Sequence, residues 1–440
     1  MIGYKNDVNW ATDNLSSLRK CAAVTFKRRK KPLTIVFAHS NLGQFRHLHE
    51  YLNSLELACS YLLCSEANFR KYKDIIPNLI PFTPHGNKLT SPESFYYLSK
   101  VEQANRRSLG IRSVLSQFLT EHLIDIFVCH ISAGSPSMLF DEFPFPIVTY
   151  LEFPCFKSHG WDMRFPPPEI KQLRDKNFEM LSYHAVIKSD KAIVPSKYAR
   201  SLFPTELQPK IDVITEGFAA DSDNWFQGGG LEKKSGYQYI GFAARDLSTA
   251  KGFDQFVRIA NLIASERPNI QFVVLGSPNL LYSYENHFLD AQFGVGHNKT
   301  FCDWVLDYER SNRSRFTLLG KVDYEIYSRV INDIDLFLYP LQFGSSNWGL
   351  FEILGRGRIV IASNCCYVPE VITHGENGFL CAYENVSEWV RLALEILDNI
   401  HDYRFIGENA RGLSSRYSIT RTADDFLSFC NHLVDSKGEK

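Results

Sequence analysis

The sequence predicts an α/β chain made of two successive parallel-sheet domains, and three observations carry that expectation. In the second half, the largely apolar run Asp335–Tyr339, the small polar loop Gly344–Asn347, the periodic segment Trp348–Gly355 and the apolar run Ile359–Ala362 read as strand, loop, helix, strand. In the first half, Leu33–Ala38 is an apolar run rich in β-branched residues that leads through a glycine-bearing turn into a helix. Between the two halves, Asp221–Ser235 carries Gly228-Gly229-Gly230 among charged residues and reads as a linker, after which the alternation restarts.

Composition agrees with this outline and excludes several partners. A chain of 440 residues with 45% hydrophobic and 22% charged residues is a soluble globular protein of about two domains. A net charge of −1 provides no general attraction to nucleic acid. No run of about 18 apolar residues occurs, and no apolar core of a secretory signal lies between Met1 and Lys20. The 10 cysteines are scattered without a Cys-x-x-Cys; Cys129 and Cys381 sit in apolar runs and Cys365-Cys366 are adjacent. That pattern fits a reducing, cytoplasmic setting. Residues 1–32 form a polar leader whose cations Lys27 to Lys31 either dock on the inner face of a membrane or make a solvated turn.

Taken in order, Leu33–Ala38 is the first buried strand, followed by Asn41 and by Gly43, which would let backbone approach a sugar or phosphate closely. Cys59–Cys64 reads as a strand, Tyr97–Leu123 as one or two helices, and Ile124–Cys129 as a buried strand closed by His130. An imidazole there either bonds a sugar hydroxyl or is a satisfied structural group. Pro146–Tyr150 is a further strand, with Glu152 at its exit as a cleft carboxylate or a partner of a nearby cation. Ser158–Pro168 is a Pro- and Gly-containing loop with Trp161 and Asp162, expected to cover a ligand. Lys171–Tyr183 is helical, Lys191–Val194 a strand, Ser196 a helix cap, and Ile211–Ile214 the last strand of this half.

In the second half, Tyr237–Ala243, which includes Gly241, is a strand, Gly252–Arg267 a helix and Gln271–Leu275 a strand. Arg245 and Lys251, six apart in the strand-to-helix turn, place a planar fork and a point charge where one diphosphate would be neutralised. Thr300–Arg310 is helical, Phe316–Leu319 a strand running into Lys321-Val322, and Tyr324–Asn332 a helix. The loop before Trp348–Gly355 brings a helix N-terminus, with its N–H groups, to the carboxyl edge of the sheet. Glu352 would be repelled by phosphate there, so ribose hydroxyls are its natural partners. Two helices follow Val386, the last being Thr420–Val434. No cluster of Asp, Glu, His or Cys stands at metal-ligand spacing, so the chemistry is expected to be metal-independent.

Several of these motifs resemble one family. Leu350-Phe351-Glu352-Ile353-Leu354, Gly357, Pro369-Glu370-Val371-Ile372, Gly375-Glu376-Asn377-Gly378 and Arg245…Lys251-Gly252-Phe253 are similar to the donor-site signature of family 4 retaining glycosyltransferases. The turn His39-Ser40-Asn41-Leu42-Gly43-Gln44-Phe45-Arg46-His47-Leu48 resembles the His-x-Asn-x-x-Gly-Gln-Phe-Arg-His-Leu opening of one subgroup, one residue shorter, and Trp348–Glu352 resembles its Trp-x-Leu-x-Glu helix. The chain departs from the pattern at Gly344, where the family signature has its first glutamate, and at Ser135, where the subgroup has another.

The resemblance implies the GT-B fold: two Rossmann-like domains, 33–220 and 236–418, facing across a cleft, a 221–235 linker, and a 419–440 helix crossing back to the first. It implies a retaining enzyme that moves a hexose from a nucleotide-diphosphate sugar to a glycan or lipid-linked acceptor in polysaccharide or cell-surface glycan assembly. UDP or GDP is expected before ADP as the carrier, with no further cofactor. Arg245, Lys251, Glu352 and His130 would be catalytic. Gly43, Gly241, Lys321, Val322, Trp348, Gly349 and Leu350 would join Arg245, Lys251 and Glu352 on the donor; Asn41, Glu152 and Asp162 would face the acceptor. The rival expectations are a non-catalytic glycosyltransferase-like subunit and a GT-B phosphorylase or epimerase.

Overall fold

The computed structural model describes residues 31–86, 97–218, 225–280 and 284–438, so Lys27–Lys30 of the basic run lie outside the described residues. The chain divides into two compact bodies. Of the described residues, the first comprises 31–159, 168–218 and 417–438; the second comprises Gly160–Pro167 and 225–416.

The first body is built on a seven-stranded parallel sheet of order β3-β2-β1-β4-β5-β6-β7. Its strands are β1 (Thr34–Ala38), β2 (Cys59–Ser65), β3 (Leu79–Phe82), β4 (Ile126–His130), β5 (Ile147–Tyr150), β6 (Lys191–Val194) and β7 (Ile211–Val213). The helices that bear on the site are α1 (Phe45–Ser54), α2 (Ser99–Phe118) and α3 (Glu169–Lys188). Strand periodicity sorts the core into two layers. Ile35 and Phe37 of β1 pack with Leu48 and Leu52 of α1, whereas Val36 and Ala38 pack on the other face with Ile111 and Leu115 of α2. Burial on both faces explains why β1 is a continuous apolar run.

The C-terminal helix, Ile419–Gly438, belongs to this first body. Phe426 packs against Phe37 with ring centroids 5.5 Å apart, and the Tyr51 hydroxyl donates to Thr420 Oγ1 at 3.0 Å. Thr422 Oγ1 donates to the carbonyl of Thr215 at 3.0 Å.

The second body holds a six-stranded parallel sheet of order β10-β9-β8-β11-β12-β13. Its strands are β8 (Gln238–Asp246), β9 (Ile270–Ser277), β10 (Phe316–Gly320), β11 (Leu336–Tyr339), β12 (Ile359–Ser363) and β13 (Phe379–Cys381). The helices nearest the site are α4 (Phe253–Glu266), α5 (Tyr324–Asp333) and α6 (Trp348–Gly355). In each sheet the strand order reverses at one point, between β1 and β4 and between β8 and β11. Ligands of open α/β sheets sit beyond the carboxyl ends of the strands that flank such a reversal.

Two segments of the second body sit where their sequence does not announce them. Gly228–Gly230 wraps a carboxylate: the N–H groups of Gly229, Gly230 and Leu231 donate to Asp333 at the end of α5, at 2.6–3.1 Å. The segment Gly160–Pro167, expected over an acceptor on the first body, packs in the second. Phe165 is buried against Phe288, Phe301 and Trp304, and Arg164 bridges Asp162 and Asp254 at 2.5 and 2.7 Å. Burial pushes the Asp254 carboxyl above its ordinary range, and the Arg164 guanidinium opposes that.

Among the described residues no helix is long and apolar enough to cross a membrane. The Asp333 cradle can be tested directly. Asp333→Ala strands three N–H groups and is expected to lower unfolding free energy by about 1–3 kcal/mol in urea titrations; an unchanged midpoint would mean that the cradle does not hold this segment.

Candidate active site

The second body gathers its candidate residues around the β8–β11 reversal. Arg245 stands near the end of β8, and Lys251 ends the short 3-10 turn Thr249–Lys251. Gly252 follows with φ of +76°, a left-handed conformation that favours glycine. A Cβ there would lie 1.6 Å from the carbonyl oxygen of Pro340, so only glycine lets the two loops meet this closely. The Ala250 carbonyl accepts from the N–H groups of Gln342 and Phe343, both at 3.1 Å. On its other side the turn is held by Glu285, whose Oε1 accepts from Thr249 N and Oγ1 at 2.8 and 2.5 Å. The loop bearing both cations is thereby fastened to the loop that leads into α6.

At the start of α6 the structure corrects one expectation. The Gly349 N–H donates to the Oδ1 of its cap Asn347 at 2.9 Å, and the Leu350 N–H donates to the Asn347 carbonyl at 3.2 Å. Both N–H groups assigned to a diphosphate are thus engaged within the cap, and the Leu350 side chain is core. Trp348 is the first residue of the helix and is half-buried. Gly241, named for the donor, lies inside β8 as the expected strand Tyr237–Ala243 has it, and a Cβ there would come within 2.6 Å of the Phe337 ring and 2.7 Å of Ile334. Packing by itself requires glycine at that position.

Glu352 is buried one turn into α6 and accepts from the Tyr324 hydroxyl at 3.3 Å. Burial pushes its carboxyl up to about 7, against the opposing pull of Arg356 and of hydrogen bonds from Tyr327 and Tyr324. Lys321 and Val322 form the turn between β10 and α5, and Tyr324 is the first residue of α5. The Tyr324–Glu352 bond therefore links that turn to α6. Arg356, one turn beyond Glu352, is fully buried with its guanidinium over the Trp225 ring, 3.8 Å from the centroid, and donates to the Trp225 carbonyl.

The first body gathers its candidates around the β1–β4 reversal. Leu42 and Gly43, after β1, are both left-handed, with φ of +67° and +48°. A Cβ on Gly43 would meet the His39 imidazole at 2.5 Å, so His39 fills the space beneath this turn. Asn41 donates its N–H to His39 Nδ1 at 2.9 Å, and burial pushes His39 down to about 3.

His130 closes β4, its ring 4.2 Å from that of His39 and stacked on Tyr150 at 5.4 Å. The Ser132 N–H donates to His130 Nδ1 at 3.0 Å, which leaves the ring proton on Nε2. That Nε2 is buried without a hydrogen-bond partner among the described residues, and the nearest carboxylate, Glu152, is 3.9 Å away. Burial, reinforced by His39, holds the His130 pKa well below the usual imidazole range. His130 is thus a neutral ring whose Nε2–H is left without a protein partner among the described residues. Asp162 belongs to the second body, where it is buried with both carboxylate oxygens engaged by Arg164. Sequence patterns held no sign that Arg164 would also bridge to Asp254, which lies far along the chain.

Comparison with known proteins fits this geometry. Residues 58–222 match the family model of the glycosyl transferase family 4 group, and residues 223–413 match that of glycosyl transferases group 1. The chain belongs to the GT4-like glycosyltransferases.

A protein described as an uncharacterized glycosyltransferase from Haemophilus influenzae is 22% identical over 183 residues, 41% of this chain and 45% of that protein. The chain spans about half the length of the curated relatives it matches, 45% and 57% for two of them. Sucrose-phosphate synthase from Thermosynechococcus elongatus superposes with a TM-score of 0.68 at 13% identity, over 92% of this chain and 100% of that one. HepE from Anabaena, in complex with UDP and glucose, superposes with a TM-score of 0.63 at 15% identity, over 91% and 100%. At such identities the likeness is one of fold, and that fold is GT-B.

The raised Glu352 carboxyl has a signed consequence. The folded state holds this proton up to about pH 7 and the unfolded state releases it near the ordinary 4.5, so burying Glu352 stabilises less as pH rises through that window. Replacing Glu352→Gln should remove that dependence. The stability difference between variant and parent is expected to shift in the variant's favour by about 3 kcal/mol from pH 4.5 to pH 8. Urea midpoints at the two pH values check it, and a difference that does not change with pH would refute the assignment.

Proposed function

We propose that the protein is a retaining glycosyltransferase that takes a hexose from a nucleoside-diphosphate sugar, UDP or GDP being the preferred carriers, and passes it to a glycan or lipid-linked acceptor. The observation that carries this reading is the pair of hydrogen bonds that the Gln342 and Phe343 N–H groups donate to the Ala250 carbonyl, which fixes the Arg245–Lys251 turn against the loop entering α6. Two cations held in one place by backbone would face the diphosphate. As the bond from the sugar's anomeric carbon to the diphosphate oxygen breaks, negative charge grows on that oxygen, and fixed cations stabilise it without reorganising.

Glu352 would hold the ribose. With a pKa of about 7 its carboxyl both donates and accepts at neutral pH, which suits a pair of hydroxyls. Lys321 and Val322, joined to Glu352 through Tyr324, would border the base. In the first body the neutral Nε2–H of His130 would donate to a sugar hydroxyl, with Gly43 giving the sugar close access to backbone and Asn41 and Glu152 on the acceptor side. Anomeric retention is carried over from family membership. The HepE complex with UDP and glucose supports a nucleotide-sugar ligand by likeness of fold. A role in polysaccharide or cell-surface glycan assembly, metal-independent transfer and a cytoplasmic site of action complete the reading.

A second reading, binding without transfer, is favoured by Gly344 and Ser135 standing where carboxylates are usual in the resembling proteins. Thermal stabilisation by UDP, GDP and ADP and by their sugars, followed by donor turnover, separates the two. The correct nucleotide at 100 times its Kd should stabilise the parent by about 2.7 kcal/mol, and Arg245→Ala should abolish most of that. Lys251→Ala is expected to lower turnover by about 10²–10³-fold. Stabilisation by a nucleotide with no donor turnover would leave the non-catalytic reading standing, and no stabilisation by any nucleotide would remove both.

A further inference from the structure

The segment expected as a linker reaches the candidate donor residues through two helices of the second body. Along α5, Tyr324, Ser328 and Asn332 fall four residues apart and so lie in one row. Each meets a different partner. The Tyr324 hydroxyl donates to Glu352 Oε1 at 3.3 Å, and the Ser328 carbonyl accepts from Arg356 Nη1 at 3.5 Å. Asn332 Nδ2 donates to the Trp225 carbonyl at 2.9 Å. Glu352 and Arg356 are themselves four apart, and the N–H of Arg356, which caps α6, donates to the Glu352 carbonyl at 3.1 Å. The contacts make a ladder that runs from the Lys321–Val322 turn, just before α5, to Trp225.

Arg356 depends on the far rung of this ladder. Its side chain is fully buried, with the guanidinium 3.8 Å from the centroid of the Trp225 ring and Nη1 donating to the Trp225 carbonyl. Nε and Nη2 have no hydrogen-bond partner among the described residues. A buried charge is costly unless it is held, and here one residue supplies both the ring and the nearest acceptor. Trp225, itself buried, is seated in turn by α5: Asn332 Nδ2 also bonds the Gln227 carbonyl at 3.0 Å, beside the Asp333 cradle. Arg356 is also the cation that acts on the buried Glu352 carboxyl, the other groups acting on it being the hydroxyls of Tyr327 and Tyr324.

We infer that Trp225 is a positioning residue for Glu352, acting through Arg356, so that the seating of residues 225–231 on α5 governs how this carboxyl meets a nucleotide. The inference rests on the proposed donor reading for the ribose that Glu352 would hold. The coupling from Trp225 to Glu352 is a property of the second body itself.

The full-length parent, Trp225→Ala and Trp225→Phe are compared, each alone and combined with Glu352→Gln. UDP, GDP and inorganic pyrophosphate are titrated calorimetrically; pyrophosphate offers the Arg245–Lys251 turn a diphosphate without a ribose. Trp225→Ala should weaken the nucleotide by about fivefold, the worth of one hydrogen bond, and leave pyrophosphate unchanged. Trp225→Phe keeps a ring over Arg356 and should recover most of the loss. Combined with Glu352→Gln, Trp225→Ala should add little, because the contact it positions is already gone. Equal losses for nucleotide and pyrophosphate, or a loss that persists in full without Glu352, would make Trp225 a support of the whole body and overturn the inference. Arg356→Met takes the place of Trp225→Ala in these titrations if the latter does not fold.

The ligand-free protein supplies a second readout. The urea stability of each background minus that of its Glu352→Gln partner, followed with pH, traces the titration of Glu352. Arg356→Met removes the opposing cation and should move that titration upward by about half a pH unit or more. Trp225→Ala should displace it as well, and Trp225→Phe should not. If the parent binds neither nucleotide, the donor reading falls and this titration alone decides. A titration that Trp225→Ala and Arg356→Met both leave in place would end the coupling.

Discussion

The second body depends on one close approach, that of Gly252 to the carbonyl of Pro340. A parallel sheet requires every connection to leave one edge and return to the other, so its carboxyl edge is a row of loops with no ladder to hold them. Here the loops after β8 and β11, on either side of the strand-order reversal, are welded at one place. The left-handed glycine admits the Pro340 oxygen, and the Ala250 oxygen takes two N–H groups from the facing loop. Buried Glu285 closes the other side through Thr249. The cations of the turn are therefore carried by backbone whose position is decided by sterics, and α6 begins from the same fixed point.

The two reversals solve different electrostatic problems. Around β8 and β11 the candidate groups are two basic side chains, with Arg245 3.6 Å from Asp246, and a carboxyl poised near neutrality. Around β1 and β4 they are uncharged imidazoles: burial drives His39 down to about 3 and holds His130 low as well, so each is fixed as a neutral ring with one defined donor. Desolvation, the dominant cause in both histidines and in Glu352, thus acts in opposite directions on bases and acids and yields neutral groups in each case.

The alternation of apolar runs with periodic segments made the two parallel sheets legible. Strands β1, β4, β8 and β11 fall within a few residues of their expected bounds because all are buried on both faces. Strand β3, only four residues long with Pro81 inside it, had no such pattern, and proline there is tolerated because β3 is an edge. The helix Glu285–Phe293 was not anticipated either, its apolar residues being few. Within the site, spacing indicated where Arg245 and Lys251 stand, but it did not show that Asn347 would take up the Gly349 and Leu350 N–H groups. Nor did it reveal that Gly241 answers to Phe337. Those are facts of tertiary contact.

The segment Gly160–Pro167 and the C-terminal helix give the chain an interlaced route: among the described residues it changes body after His159 and Pro167, between 218 and 225, and after Arg416. No single cleavage of the polypeptide therefore yields two complete halves. A break near Ala219 would leave Arg164 and Phe165 on a fragment without Asp254 and Trp304, and Phe37 without Phe426. During synthesis on the ribosome the same routing imposes an order. The first body, although its sheet is finished by Val213, cannot close its outer core layer until Phe426 and Cys430 have emerged. The second body, whose borrowed segment is already made, can complete its own core earlier.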